Sequence, residues 1–155
     1  MKKGLLKLLT LKTLIFILLT SFVVSCALFG SLKKAPTGFV KTNEVGWSTI
    51  QLRDGLKFDK AFDAVLDVVA KRFEMEVISK EGSYARSLWS FRWGECEGST
   101  YRTRVIFKFS PDKKNVEVKT EAEWLNGNKW QTGYDTRLLE TIKQDIGGVV
   151  GRVTR

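Results

Sequence analysis

Two stretches in the second half of the chain alternate strictly between apolar and polar positions. In residues 101–109 and 116–124, one set of alternate positions is apolar, aromatic or small, and the other set is mostly charged. This period of two is typical of strands with one face buried and the other in water. The stretch between them contains Pro111 and Asp112, which favour a turn. The pattern therefore predicts an antiparallel β-hairpin.

The charges on these two strands also predict the register of the hairpin. A slip of one residue would turn Phe107 and Val118 into water, so the register should be firmly set. Opposite charges in directly opposed positions each stabilise a sheet by roughly a few tenths of a kcal/mol. If Phe109 pairs with Val116, three such pairs form: Lys108 with Glu117, Arg104 with Glu121, and Arg102 with Glu123. We interpret these charges as a solvated face first and as a docking surface second.

Two other stretches repeat apolar residues every three to four positions, as amphipathic helices do. The first begins at Phe58 and reaches Phe73. The second runs from a cap at Asp135 or Thr136 to about Val150. We expect both apolar stripes to pack into the core. Further strands are predicted at residues 47–52, 75–79 and 84–93, with a short extra strand at 129–132.

The order of these elements predicts an α+β fold. We expect an antiparallel sheet of four to five strands with both helices packed on one face, in a single domain at residues 47–155. Order and length resemble the helix-grip-like domains of periplasmic lipoproteins, such as the C subunit of the outer-membrane β-barrel assembly machinery. That resemblance implies a binding or scaffolding role and identifies no functional residue.

The N-terminal region, residues 1–25, has the composition of a secretory signal peptide. Four lysines and no acidic residue occupy the first twelve positions, and residues 13–24 are almost wholly apolar. A membrane-spanning helix needs roughly 20 apolar residues, so this shorter run favours a cleaved signal over an uncleaved span. The run ends in Val23-Val24-Ser25-Cys26, which resembles the lipobox of bacterial lipoproteins.

The lipobox resemblance implies a lipid anchor. It implies cleavage after residue 25 and attachment of diacylglycerol and a further acyl chain, such as palmitate, to Cys26. Two or more chains hold a protein firmly on a membrane. Ala27 stands where inner-membrane retention usually requires Asp, which implies the outer membrane, facing the periplasm. Residues 26–46 lack periodicity and contain Pro36 and Gly38, so we interpret them as a flexible tether.

Composition argues against several classes of site. The chain has no histidine, which excludes His-based triads and His metal sites, and we expect no cofactor, metal or catalytic residue. Once Cys26 is acylated, Cys96 is the remaining thiol, either free or in an intermolecular disulfide. Four of the nine net positive charges lie in the signal. An exported chain meets no nucleic acid, so the remaining excess favours anionic lipid or an acidic protein face.

Five tryptophans are the remaining candidates for function. Alternation predicts that Trp124, and with it Trp89 and Trp93, lies on the inner face of the sheet. Trp47 and Trp130 lie near strand or turn ends, where an exposed indole can anchor a partner. We therefore name Trp47, Trp130 and the neighbourhood of Trp93 as candidate partner-binding residues.

These features predict a non-enzymatic envelope lipoprotein that binds or scaffolds other cell-envelope components. It would contact the membrane through Cys26 and have an envelope protein as partner. The alternative is a ligand-binding or inhibitory, immunity-type module for a lipid, glycan or toxin. A closed apolar cavity between helices and sheet would favour it. An enzyme is the third hypothesis, and would need a Ser/Lys dyad or paired carboxylates such as Asp63 and Asp67.

Overall fold

The computed structural model describes residues 34–93 and 99–152, which contain seven strands and two helices. From Ala35 onward they belong to one compact unit. Within these ranges, no helix combines the length and the apolar character needed to cross a bilayer. The predicted signal peptide, Cys26 and Cys96 lie outside the described residues. The elements are β1 (Phe39–Lys41), β2 (Ser48–Gln51), α1 (Phe58–Ala70), β3 (Met75–Ser79), β4 (Tyr84–Ser87), β5 (Tyr101–Phe109), β6 (Asn115–Asn126), β7 (Lys129–Asp135) and α2 (Thr136–Val150).

The strands form one antiparallel sheet in the order β1-β7-β6-β5-β4-β3, with β2 paired to β6 beside this path. Strand β6 is twelve residues long, so its first part pairs with β2 and its second part with β7. Ser48 of β2 lies opposite Val118, and Trp130 of β7 lies opposite Leu125. Because β5 occupies the other edge of β6, β2 and β7 follow one another along a single edge.

The predicted hairpin register is confirmed in β5 and β6. Phe109 lies opposite Val116, and the three predicted charge pairs are directly opposed. Ile106, on the outward side, is only 4 % exposed, so other side chains cover the middle of that face as well. The predicted inward residues are all buried: Tyr101, Thr103, Val105, Phe107 and Phe109 in β5, and Val116, Val118, Thr120, Ala122 and Trp124 in β6.

Both helices pack on the inner face of the sheet, which confirms the predicted α+β architecture. Aromatic rings from the two layers interlock there. The centroid of Phe62 in α1 lies 5.6 Å from that of Phe107, and Phe58 lies 5.2 Å from Phe109. The core residues of the helices are Ala61, Phe62, Val65, Val68 and Val69 of α1, and Leu138, Ile142, Ile146 and Val150 of α2.

The N-terminal edge of the sheet differs from the prediction. Strand β1 pairs with β7. The ring centroid of Phe39 lies 6.1 Å from those of Tyr101 and Trp124. The prediction of a tether over residues 26–46 is therefore wrong for its later part, and the folded unit starts before residue 47. A strand of three residues is too short to show alternation, which explains why the pattern missed it. With β1, β2 and β7 included, the sheet has seven strands instead of four or five.

The strand predicted at residues 84–93 is also shorter, because one extra residue interrupts it. Arg86 lies opposite Ile106, but the next bridge joins Ser90 to Thr103, so three residues on the first strand face two on β5. At the break, the hydroxyl of Ser87 accepts the Val105 N–H at 3.0 Å and replaces a backbone partner. An extra residue reverses which side the following residues face. The prediction that Trp89 lies on the inner face is wrong for this reason.

Candidate binding face

The side of the sheet away from the helices carries nine charged residues that form five ion pairs. Five are cations and four are carboxylates, so the surface is close to electrically neutral. These residues are called the charged face below. The pairs are Arg86 with Glu76, Arg102 with Glu123, Arg104 with Glu121, Lys108 with Glu117, and Lys119 with Glu121.

Glu121 lies at the centre of this network because it accepts hydrogen bonds from two cations. Nε of Arg104 lies 2.7 Å from one carboxylate oxygen, and Nζ of Lys119 lies 2.8 Å from the other. Burial by itself would raise the pKa of Glu121. Hydrogen bonds from Lys119 and Arg104, together with their positive charges, outweigh that effect and lower its pKa below the ordinary value of 4.5.

This lowered pKa makes a pH-dependent prediction. A carboxyl whose pKa is lower in the folded state stabilises the fold above its unfolded pKa, and loses that contribution as pH falls through the folded pKa. We expect Glu121→Gln to lower the free energy of unfolding by about 1 kcal/mol at neutral pH and by much less at about pH 3. Urea unfolding at the two pH values measures the difference. The control is Glu140→Gln on α2, an exposed pair with Lys143 that should change little at either pH. An equal loss at both pH values would contradict the prediction.

Two indoles lie against the guanidinium groups of the charged face. The ring centroid of Trp89 lies 4.4 Å from Cζ of Arg104 and 4.9 Å from Cζ of Arg102. Trp130 lies 4.7 Å from the same carbon of Arg102, so this one side chain contacts both rings. A cation is attracted to the electron-rich face of an indole, by about 0.5–2 kcal/mol depending on exposure. These contacts hold both rings against the sheet.

A third indole lies at the opposite end of the same face. The ring centroid of Trp47 lies 4.4 Å from Nζ of Lys108 and 5.0 Å from Nζ of Lys119. Trp47 immediately precedes β2, and the pairing of Ser48 with Val118 places it next to Lys119. The charged face is therefore bordered by ordered indoles at both ends.

The structure brings two of the three predicted partner-binding tryptophans together on the charged face. Trp47 is 37 % exposed and Trp130 is 40 % exposed. Trp93 is elsewhere: it is partly buried and packs against both apolar clusters of the inner face. The sequence analysis did not place Trp89 on this face. Nothing in the composition of residues 84–93 marks the extra residue that turns Trp89 outward. Trp124 is buried on the inner face as predicted.

A Ser/Lys contact, which an enzyme without histidine could use, occurs between two hairpin turns. Nζ of Lys113 contacts Oγ of Ser83 and lies 4.9 Å from the ring centroid of Phe58. Ser83 is only 2 % exposed, so its hydroxyl is covered by the surrounding turns. The contact ties the β3–β4 turn to the β5–β6 turn, and we interpret it as structural.

The carboxylates on the exposed side of α1 are held in separate ion pairs. Nζ of Lys80 lies 2.8 Å from Asp63, and Nζ of Lys71 lies 2.8 Å from Asp67. Both carboxylates are exposed and each has its own cation, so we interpret them as part of a solvated helix face. In residues 34–93 and 99–152, no group of three or more His, Cys, Asp or Glu side chains is placed to hold a metal ion.

Two clefts open on the surface, and the lining of one includes Trp89. One, of about 300 Å³, is lined by residues 72–74 and 88–92 at the end of β4. The other, of about 420 Å³, is a groove between the helices that includes Val68, Asp145 and Val149. Both open to the surface, whereas the space between helices and sheet holds the interlocked phenylalanines. This packing disfavours a ligand site between the two layers.

The charged face is suited to binding a ligand by stacking and hydrogen bonding. Part-exposed indoles offer flat surfaces, and the ion pairs between them place donors and acceptors at fixed positions. No protein-family model matches the chain, and no curated protein matches it significantly. The geometry of the charged face is therefore the basis for treating it as a candidate binding site.

Proposed function

We propose that this chain is a lipid-anchored, non-enzymatic binding module of a bacterial cell envelope, which holds another envelope component against the charged face of its sheet. One observation carries the proposal. Trp47, Trp89 and Trp130, which are far apart in the sequence, lie on the same side of the sheet and each contacts a cation of that face. Large aromatic side chains that remain part-exposed on an ordered surface mark interaction sites.

The lipid anchor and the binding role support each other. Residues 23–26 resemble a lipobox, and the acyl chains expected on Cys26 would keep the domain at a membrane. The absence of histidine from the whole sequence removes the commonest acid/base residue, which favours binding over catalysis. A small domain with one broad, ordered face is suited to scaffolding at the membrane surface, and we place it at the outer membrane, facing the periplasm.

The anchor is tested by metabolic labelling of bacteria that produce the full chain. We expect labelled palmitate to be incorporated into the wild-type protein and to be lost in Cys26→Ala. The same substitution should leave the precursor uncleaved and larger by about the mass of residues 1–25, which immunoblotting measures. Cys96→Ala is the matched control, and should be labelled and processed like the wild type. Labelling that persists in Cys26→Ala would refute the anchor.

The binding role is tested by crosslinking in intact cells. We expect Trp47→Ala and Trp130→Ala each to reduce the recovery of crosslinked envelope components by about tenfold, because indoles dominate the binding energy of surfaces that contain them. The control is Val149→Ala, which removes an equally exposed apolar side chain from the helix layer. Recovery that is unchanged in both tryptophan variants, or reduced equally in the control, would contradict the role of the charged face.

A further inference from the structure

We infer that the charged face binds a linear, uncharged glycan chain, with sugar rings stacked on Trp47, Trp89 and Trp130. The inference rests on the proposed binding role and names the class of ligand. Three properties of the face support it: its charge balance, the exposure and placement of its indoles, and the polar surface between them.

The charge balance disfavours an anionic ligand. Every cation of the charged face lies within 3.0 Å of a carboxylate oxygen. Indole rings also lie against Arg102 and Arg104, which stay part-exposed. A phosphate or carboxylate bound here would either lie close to the carboxylates of these pairs or have to displace them, and both are unfavourable. An uncharged ligand meets no such cost.

The indoles are placed along one direction of the sheet. Trp47 lies beside Lys119 of β6, and Trp130 lies opposite Leu125 of the same strand. Six residues of a strand span about 20 Å. Trp89 lies between these ends, over the pairs formed by Arg102 and Arg104. The three rings therefore suit an extended chain that covers several sugar units, rather than a single small molecule.

The surface between the indoles favours a glycan over a protein. The buried centre of a protein–protein interface is depleted in charged residues, because desolvating them is costly. Here the ion pairs of Arg102, Arg104 and Lys119 lie between the indoles. A sugar hydroxyl both donates and accepts hydrogen bonds, so one hydroxyl can bridge a guanidinium group and its carboxylate. The ion pairs can stay half-solvated while the flat, apolar faces of the sugar rings stack on the indoles.

The inference is tested by nuclear magnetic resonance of the full chain in a polyoxyethylene detergent, with its tryptophans labelled by ¹⁵N. The probes are cellohexaose and N-acetylchitohexaose, two linear uncharged hexasaccharides. We expect at least one of them to shift the indole N–H signals of Trp47, Trp89 and Trp130. The signals of Trp93 and Trp124, on the inner face, should stay in place. The wild-type protein thus contains its own controls.

Calorimetric titration of the same samples measures the contribution of each ring. Trp130→Ala and Trp47→Ala should each raise the dissociation constant by about tenfold, as the loss of one stacking platform does in other systems. Val149→Ala should leave it unchanged, and raising the salt concentration from 0.1 M to about 0.5 M should alter it by less than about twofold, because the ligand is uncharged.

Three outcomes would overturn the inference. They are no shift with either hexasaccharide, a shift confined to Trp93 or Trp124, and binding of an oligogalacturonate alone that salt abolishes. If the hexasaccharides fail while crosslinking in cells still depends on Trp47 and Trp130, the partner is a protein, and the proposed binding role stands without the glycan. If neither experiment depends on these tryptophans, both proposals fail.

Discussion

Replacing Asp135 with alanine should lower the free energy of unfolding by about 3–4 kcal/mol, since one buried carboxylate holds two parts of the fold together. Asp135 is fully buried at the junction of β7 and α2. One of its oxygens accepts the N–H of Leu138 at 2.9 Å and caps α2, and the other accepts the hydroxyl of Tyr101 at 2.6 Å. Urea unfolding followed by circular dichroism measures the loss.

The matched variants separate the two contributions. Asp135→Asn keeps an oxygen that can cap the helix, so we expect it to cost about 1 kcal/mol. Tyr101→Phe removes the hydroxyl and leaves the cap, and should cost about 1–2 kcal/mol. Because the two hydrogen bonds share one side chain, Asp135→Ala combined with Tyr101→Phe should cost less than the two single losses added together. An effect of Asp135→Ala no larger than that of Asp135→Asn would contradict this account.

Replacing Gly133 with alanine should separate β1 from the sheet. A Cβ atom built at Gly133 would lie 2.1 Å from the carbonyl oxygen of Val40, a backbone atom that can move only if β1 moves. We expect a loss of about 3 kcal/mol in the free energy of unfolding. Residues 39–41 should become susceptible to proteolysis while the rest of the domain stays folded. Limited proteolysis with mass spectrometry locates the new cleavage sites, and hydrogen exchange measures protection of the β1 amides.

Gly148→Ala is the control for this substitution. Gly148 is exposed in α2, and a Cβ atom there meets nothing within 4 Å. Alanine should therefore stabilise the protein by about 1 kcal/mol, as it does in exposed helix interiors. Should Gly133→Ala leave the β1 amides as protected as in the wild type, the close approach of the two strands would not be what requires glycine.

The elements that could be predicted from the sequence are those in which two patterns agree. In β5 and β6 the alternation of apolar residues and the pairing of opposite charges select the same register, and both helices show clear apolar stripes. Strand β1 could not be found, because a three-residue segment has no period and its pairing depends on the close approach allowed by Gly133. Local patterns do not contain such distant contacts.

The candidate site was predictable only in part, for a related reason. Trp47 and Trp130 could be named because they lie next to turns, where alternation ends. Trp89 could not, because a single extra residue between Ser87 and Ser90 moves it to the outer face, and nothing in the composition of that segment marks the irregularity. The contacts between the indoles and the cations depend on the pairing of β6 with β2 and β7, and on the bridge between Ser90 and Thr103 of β5.

Strand β1 also limits how far an anchored domain could travel. If Cys26 carries lipid, eight residues separate it from Ala35, where the compact unit begins, and these nine Cα–Cα steps can span at most about 30 Å. If β1 detached, the first strand held in the sheet would begin at Ser48, and the linker from Cys26 could then span about 70 Å. A force applied at the anchor would act on the pairing of β1 with β7 before it reached any other strand. We therefore expect β1 to detach first and to extend the linker while the core stays folded.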